Sequence, residues 1–214
     1  MRLVMPRLYV ILDAGLMTGS IEDTTQKLIE AGVLALQYRN KKGPARDALV
    51  DARKVAAMVL SRGVSLFVND RPDIACLSGA SGVHVGQDDL GVAQARAMIG
   101  ATGWVGVSTH NEAQFRVAVE TSADYIAVGP VFRTRTKENP DPVVGTELIR
   151  RVRTLTNKPI VAIGGITLER AAELIEAGAD SVAVISDILL AADPTQRAKD
   201  FVRRLEAVKP TVSH

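Results

Sequence analysis

Two carboxylates near basic residues are the side chains of this sequence best suited to chemistry. Asp70 stands directly after the apolar run SLFVN, and Asp89 lies just past the next apolar run, GVHV. Carboxylates at neighbouring strand ends could converge on one hard cation, because Mg²⁺ is commonly held by one or two carboxylates together with substrate phosphates. Asp70 also precedes Arg71 and Pro72, where it could instead cap a helix. The spacing alone leaves both interpretations open.

Several cations accompany these carboxylates. They are Arg39, Lys41, Arg133, Arg135 and Lys137. Any single one could be a solvated surface residue, but several on one rim suit a diphosphate better than a neutral substrate. The last three lie within residues 131–144, which show neither helical nor strand periodicity. Loops of this length are usually functional, so we predict an active-site loop over 131–144.

Nucleophilic catalysis finds little support in the sequence. No Ser/His/Asp or Cys/His set is apparent, and the lone cysteine, Cys76, falls in a helical segment. His84 lies in the middle of an apolar run, where a structural role is the more common one. His110, at a strand end, is the better acid–base candidate, although it could equally serve a helix N-terminus. With three histidines in all, a His-rich zinc site is not expected.

The elements that must position these residues alternate along the chain. Short β-branched apolar runs begin near Leu8, Leu34, Ser65, Gly82, Trp104, Tyr125, Pro159 and Ser181, with helical periodicity between them and a last helix near 195–208. This alternation is typical of βαβ units with a buried parallel sheet. Eight units in 214 residues predict an α/β fold, a (β/α)8 TIM barrel, as a single domain over 1–214 with a disordered tail at 209–214.

In such a barrel, the ends of strands seven and eight commonly build a phosphate site. Gly164 and Gly165, in IVAIGGI, would let a phosphate approach the backbone closely. Ser186 ends the eighth run, SVAVIS, where the N-terminus of a short helix could meet the anion. The two glycines could merely form a turn, but in a barrel we favour a phosphate site.

Composition excludes several classes of function. The chain has 26 Lys and Arg against 24 Asp and Glu, a net charge of +2 without a basic block, and few aromatic residues, so we expect no nucleic-acid partner. The N-terminal apolar stretch is too short for a signal peptide or a membrane span, so no membrane partner is expected. The lone cysteine fits a reducing compartment, and we predict a cytoplasmic protein.

The sequence resembles the thiamine phosphate synthase (thiamine-phosphate pyrophosphorylase) family along nearly its whole length. The matching motifs occur in the family's order: QYRNK at 37–41, NDR at 69–71 with GVHVGQDDL at 82–90, GVSTH at 106–110, ADYIAVGPVFRTRTK at 123–137, AIGGI at 162–166 and VAVIS at 182–186. The resemblance implies a transferase that joins hydroxymethylpyrimidine diphosphate to a thiazole phosphate, or to its carboxylated tautomer. Thiamine phosphate and pyrophosphate would form by a dissociative, Mg²⁺-assisted substitution.

The resemblance also implies the roles of individual residues. Asp70 and Asp89 would hold the Mg²⁺ cofactor. The pyrimidine diphosphate would contact Gln37, Arg39, Lys41, Asn69, Ser108 and Lys137, among which Arg39, Lys41, Ser108 and Lys137 are the catalytic candidates. The thiazole phosphate would contact Thr134, Thr136, Gly165, Ile185 and Ser186. Tyr38, Asn40 and Arg135 lie within the same two segments, 37–41 and 134–137, and are included among the candidate substrate-binding residues.

Tyr38, Asn40 and Arg135 depart from the family pattern, which has Leu, Glu and Pro at these positions. Because strand side chains alternate, Gln37 and Arg39 share one face of the second run, and Tyr38 and Asn40 share the other. We therefore expect the substitutions at 38 and 40 to lie toward the helical layer or the rim.

Two other functions fit parts of this pattern. The thiazole tautomerase branch of the superfamily has a histidine where this chain has Pro130. Retention of Asp70, Asp89 and Lys137 favours the synthase. The alternative from another class of function is a non-enzymatic barrel that kept the pocket as a ligand sensor. Turnover of both substrates would distinguish the synthase from these alternatives. The sequence leaves open whether the chain forms a homo-oligomer.

Overall fold

The eight apolar runs form eight parallel strands. In the computed structural model, which describes residues 3–134 and 141–208, the strands are β1 (Leu8–Asp13), β2 (Ala35–Arg39), β3 (Ser65–Asn69), β4 (Gly82–Val85), β5 (Trp104–Thr109), β6 (Tyr125–Val128), β7 (Ile160–Ile163) and β8 (Ser181–Val184). Each strand pairs with the next, and β8 pairs with β1, so the sheet closes into a barrel. The predicted TIM-barrel fold is confirmed. β2 and β7 each begin one residue later than the apolar runs suggested.

Helices connect the strands around the outside of the barrel. The described helices are α1 (Ile21–Glu30), α2 (Ala45–Val59), α3 (Pro72–Ser78), α4 (Val92–Ile99), α5 (Glu112–Val119), α6 (Gly145–Arg153), α7 (Leu168–Glu176), α8 (Ser186–Leu189) and α9 (Pro194–Glu206). Ser20 caps α1 by accepting a hydrogen bond from the Asp23 N–H at 3.1 Å, and Asp193 caps α9. None of the described helices is both long and apolar enough to cross a membrane.

Side chains alternate between two buried layers. Val10, Leu36 and Tyr38 belong to the larger cluster, in which the outer faces of the strands pack against the helices. Tyr9, Ile11, Phe67, Tyr125 and Val161 belong to a second cluster that fills the barrel interior. Because every second side chain of a strand points inward, the residue at each strand's C-terminal end is held at one rim by the packed residues below it.

An aromatic group forms the centre of the interior. Tyr9, Phe67 and Tyr125 meet edge to face, with ring centroids 5.4 to 6.2 Å apart. Tyr125 occupies the space beside Gly106 on the neighbouring strand β5, where an added Cβ would lie 2.0 Å from the Tyr125 Cζ atom. The absence of a side chain at position 106 is therefore what allows Tyr125 to cross the barrel.

Two acidic residues join the strands at the opposite, N-terminal end of the barrel. The carboxylate of Asp124 accepts the Val105 N–H at 2.7 Å and pairs with Arg96. Asp180 repeats this arrangement by accepting the Ile160 N–H at 2.8 Å and pairing with Arg153. These contacts lie away from the rim that carries the candidate site residues, so we assign them to stability.

We expect Gly106→Ala to destabilise the protein, because its Cβ would collide with the buried Tyr125 ring. Overpacking of this kind costs about 1–3 kcal/mol or more. Gly19→Ala is the matched control, since a Cβ there meets nothing within 4 Å. Urea unfolding of both variants measures the difference. Equal midpoints for Gly106→Ala and Gly19→Ala would contradict this account of the interior.

Candidate active site

The C-terminal ends of the strands bring most of the predicted site residues to one rim. β2 contributes Gln37 and Arg39, β3 contributes Asn69, and β5 contributes Ser108. Register pairs Gln37 with Phe67 and Asn69 with His84, so these strand ends are direct neighbours in the sheet. Arg135, Thr136 and Lys137 lie outside the described residues, and their predicted roles remain predictions.

Asp70 leaves β3 in a conformation that L-residues rarely adopt. Its φ is 60°, and its backbone N–H donates to the His84 carbonyl oxygen at 2.7 Å. Helix α3 begins at Pro72 after Arg71, without a side-chain cap, and Arg71 pairs with Asp73. The structure therefore decides against Asp70 as a helix cap. Backbone strain of this kind is common at functional sites.

Asp89 and Asp70 come together, as the cation-site interpretation predicts. The Asp89 carboxylate accepts the Gly86 N–H at 2.8 Å. The pKa of Asp89 is raised, first because the group is partly buried and then because it hydrogen-bonds with the Asp70 carboxyl group and feels its charge. Lys41 pairs with Asp70 on the same rim. Two crowded carboxylates suit a hard divalent cation, whose charge would relieve their repulsion.

The donor set limits what the protein itself can supply to a metal. Within residues 3–134 and 141–208, no group of three His, Cys, Asp or Glu side chains could hold a metal ion. Mg²⁺ commonly keeps several water or phosphate ligands and takes only one or two carboxylates from the protein. The pair Asp70 and Asp89 fits that pattern, with the remaining ligands left to a substrate phosphate and water.

Arg39 has a carboxylate partner that the sequence analysis did not identify. Asp13, at the end of β1, forms an ion pair with the Arg39 guanidinium. The other Asp13 oxygen accepts the Gly15 N–H at 2.9 Å, which fixes the orientation of the carboxylate. The available sequence signal was the position of Asp13 at a strand end. Its pairing with β2 follows only from the register Asp13–Arg39.

His84 is buried below the rim. Burial lowers the pKa of its imidazole to about 4, so the ring is neutral near pH 7. Its Nε2 atom lies 2.8 Å from Ser108 Oγ, and its Nδ1 atom lies 2.9 Å from Tyr125 Oη. Sequence reasoning gave His84 a structural role from its place in an apolar run, and had no signal for the contact with Ser108.

The departures at Tyr38 in β2 and at Asn40, just after this strand, lie where strand alternation predicts. The Tyr38 hydroxyl donates to Asp51 of α2 at 3.1 Å, so its side chain faces the helical layer. Asn40 donates to Tyr38 and accepts the Gly43 N–H at 2.7 Å. Asn40 therefore shapes the loop that leads into α2.

The residues of the predicted phosphate site after β7 and β8 also lie at neighbouring strand ends. β7 pairs with β8, Gly165 follows β7, and Ser186 opens the short helix α8 directly after Ile185. Gly165 has φ of 64°, and a Cβ there would lie 2.3 Å from the Arg133 carbonyl oxygen. The glycine is thus required by close packing against the 131–144 loop, whether or not a phosphate binds beside it.

The described parts of the 131–144 loop are anchored to the rim. The Val131 N–H donates to the Ile163 carbonyl oxygen at 2.9 Å, and the Val144 N–H donates to the Pro130 carbonyl oxygen at 2.9 Å. Residues 131–134 and 141–144 form neither helix nor strand. His110 Nδ1 lies 2.6 Å from the Gly129 carbonyl oxygen, and its Nε2 lies 3.5 Å from Asp141. His110 therefore joins the end of β5 to both flanks of this loop, and Thr134 lies at its described edge.

Comparison with known proteins gives the family of the chain. The family model described as thiamine monophosphate synthase matches residues 8–188. A thiamine-phosphate synthase of Koribacter versatilis is 48% identical over 210 residues, which cover 96% of this chain and 98% of that protein. A thiamine-phosphate synthase of Chloroflexus aurantiacus is 43% identical over 196 residues, covering 91% of this chain and 90% of that one.

A solved structure agrees with the sequence relatives. The thiamine phosphate pyrophosphorylase of Pyrococcus furiosus superposes with a TM-score of 0.86 at 29% identity, and the match covers 94% of this chain and 96% of that one. The family model spans most of the barrel, and the relatives match almost end to end. The chain belongs to the thiamine monophosphate synthase family.

Proposed function

We propose that this protein is a thiamine phosphate synthase, a transferase that joins hydroxymethylpyrimidine diphosphate to a thiazole phosphate and releases pyrophosphate. The observation that carries the proposal is the meeting of Asp70, Asp89 and Lys41 at one rim, beside the Arg39 guanidinium. This arrangement provides carboxylates for a divalent cation and two positive groups for a diphosphate. The near end-to-end similarity to named synthases supports the same conclusion.

The metal site follows from the chemistry of its donors. Asp70 and Asp89 would hold Mg²⁺, and the bound ion would neutralise charge on the diphosphate leaving group. The backbone N–H of Asp70 donates to the His84 carbonyl oxygen of β4, which fixes the position of Asp70. The carboxylate of Asp89 accepts the Gly86 N–H, which orients that carboxylate. The two carboxylates are thus preorganised before a substrate arrives.

The cations and the Ser108 hydroxyl act on the leaving group. As the bond between the pyrimidine methylene and the diphosphate breaks, negative charge grows on the diphosphate oxygens. Arg39 and Lys41 would stabilise this charge from β2 and the loop after it, and Ser108 would donate from β5. Gln37, Asn69 and Lys137 would complete the contacts to the pyrimidine diphosphate.

The second substrate would enter from the opposite side of the rim. Gly165, Ile185 and Ser186, with Thr134 and Thr136, would hold the phosphate of the thiazole and place its nitrogen near the pyrimidine carbocation. A dissociative substitution needs no strong base for this attack. This agrees with the sequence, which gathers charged residues at the predicted site and shows no apparent pair of nucleophile and base.

The remaining inferences concern partners and location. We infer that the substrates are small molecules, and that neither a nucleic acid nor a membrane is a partner. The cytoplasmic location is an inference from the lone cysteine, Cys76.

Asp70→Asn and Asp89→Asn should each lower turnover at saturating Mg²⁺ by about 10²-fold or more, because an electrostatic contact in the transition state is worth roughly 2.7 kcal/mol or above. Asp73→Asn is the matched control: Asp73 follows the same strand end but pairs with Arg71. A coupled assay for thiamine phosphate, with and without Mg²⁺, measures the effect. Full activity of both rim variants in the presence of chelator would exclude the metal role.

Asn40→Glu should change kcat/KM by less than about tenfold, whereas Arg39→Ala should cost more than that. Glutamate at position 40 can still accept the loop N–H groups that Asn40 now accepts, and it lies outside the ligand face. Arg39→Ala removes a cation from that face. If Asn40→Glu proved as damaging as Arg39→Ala, the assignment of faces in β2 would have to be withdrawn.

A further inference from the structure

A continuous chain of hydrogen bonds crosses the interior of the barrel beneath the rim. Gln37 Nε2 lies 2.8 Å from Tyr9 Oη, and Tyr9 Oη lies 3.2 Å from Tyr125 Oη. Tyr125 Oη lies 2.9 Å from His84 Nδ1, and His84 Nε2 lies 2.8 Å from Ser108 Oγ. The chain thus begins and ends at two residues proposed to contact the pyrimidine diphosphate, and its three middle members have no role in the chemistry described above.

With the Gln37 amide nitrogen facing Tyr9, as the structure places it, only one direction of donation satisfies every proton in this chain. The Gln37 amide nitrogen can only donate, so Tyr9 Oη accepts from it. If Tyr9 then donates to Tyr125, Tyr125 can donate to His84 Nδ1. A neutral imidazole whose Nδ1 accepts must carry its proton on Nε2, which then donates to Ser108 Oγ. Each group in the chain therefore donates its hydrogen bond to the next group on the way from Gln37 to Ser108 on β5.

The opposite direction leaves a buried proton without an acceptor. Tyr9 would then accept from both Gln37 and Tyr125, and its own O–H would face the apolar interior beside Phe67. Tyr9 is 1% exposed, and no other acceptor for its hydroxyl occurs among the described residues. An unsatisfied buried donor is costly, so the chain is polarised from Gln37 to Ser108.

We propose that this polarised chain fixes the His84 proton on Nε2, so that Ser108 Oγ accepts from His84 and its own proton is left to donate toward the bound ligand. His84, Tyr125 and Tyr9 are then positioning residues that act through Ser108. The part of the proposal that concerns a ligand rests on the proposed function, since the acceptor at Ser108 would be a diphosphate oxygen. A hydroxyl proton directed at the ligand favours an anionic acceptor at that position.

The tautomer can be tested without any turnover. Imidazole ¹⁵N chemical shifts distinguish a protonated from an unprotonated ring nitrogen, and the His84 signals can be identified by replacing the three histidines one at a time. At neutral pH, we expect an unprotonated Nδ1 and a protonated Nε2. A ring protonated at Nδ1, or a mixture of the two tautomers, in the unmodified protein would overturn the proposal.

Tyr125→Phe removes the hydroxyl that holds Nδ1 as an acceptor, while the ring still fills the interior. We expect the His84 signals to move toward values averaged over both tautomers, because neither form then has a partner at Nδ1. Tyr38→Phe is the matched control, since it deletes a buried tyrosine hydroxyl that bonds to Asp51 in the helical layer. Unchanged His84 signals in Tyr125→Phe would contradict the chain.

A double-mutant cycle tests the action through Ser108. We expect Tyr125→Phe to lower kcat/KM by about tenfold in the unmodified protein, and by less than about twofold when Ser108→Ala is already present. A purely structural loss would reduce activity equally in both backgrounds, and that result would overturn the positioning role. Absence of synthase activity in the unmodified protein, with the Nε2 tautomer intact, would instead count against the proposed function.

Discussion

Closure of eight strands into one barrel is the constraint on which the rest of this structure depends. A closed barrel leaves no sheet edge, and it forces every second side chain into a narrow interior. Glycine at position 106 leaves the space in which Tyr125 crosses that interior. Tyr9 and Phe67 pack edge to face with each other and with the Tyr125 ring. Hydroxyl groups buried in this way must find partners, and they do so with one another and with His84.

The same closure concentrates charge at one rim. Arg39 pairs with Asp13, and Lys41 pairs with Asp70, so each of these cations is shared with a carboxylate. Cations gathered at one rim favour an anionic ligand over a neutral molecule. Asp89, whose pKa is raised by burial and by its neighbour Asp70, would add a second carboxylate to the proposed cation site.

Stability and chemistry are divided between the two ends of the barrel. At the N-terminal end, Asp124 and Asp180 each tie a strand to an arginine of the helical layer through satisfied hydrogen bonds. At the C-terminal end, Asp70 keeps a left-handed backbone and two carboxylates are held close together. Such strained and repulsive contacts persist only where a rigid scaffold supports them, and the packed interior below the rim is that scaffold.

The sequence by itself determined the fold and the rim. Its β-branched runs, the cap at Ser20 and the alternation of Gln37 and Tyr38 act over a few residues, so local periodicity carries them. It left Asp70 undecided between a helix cap and a metal ligand, and it missed Asp13 as the partner of Arg39. Only the tertiary structure excluded the helix cap at Asp70 and showed the ion pair between Asp13 and Arg39, because both depend on strand register and on which side chains meet across the barrel, and neither is a local property of the chain.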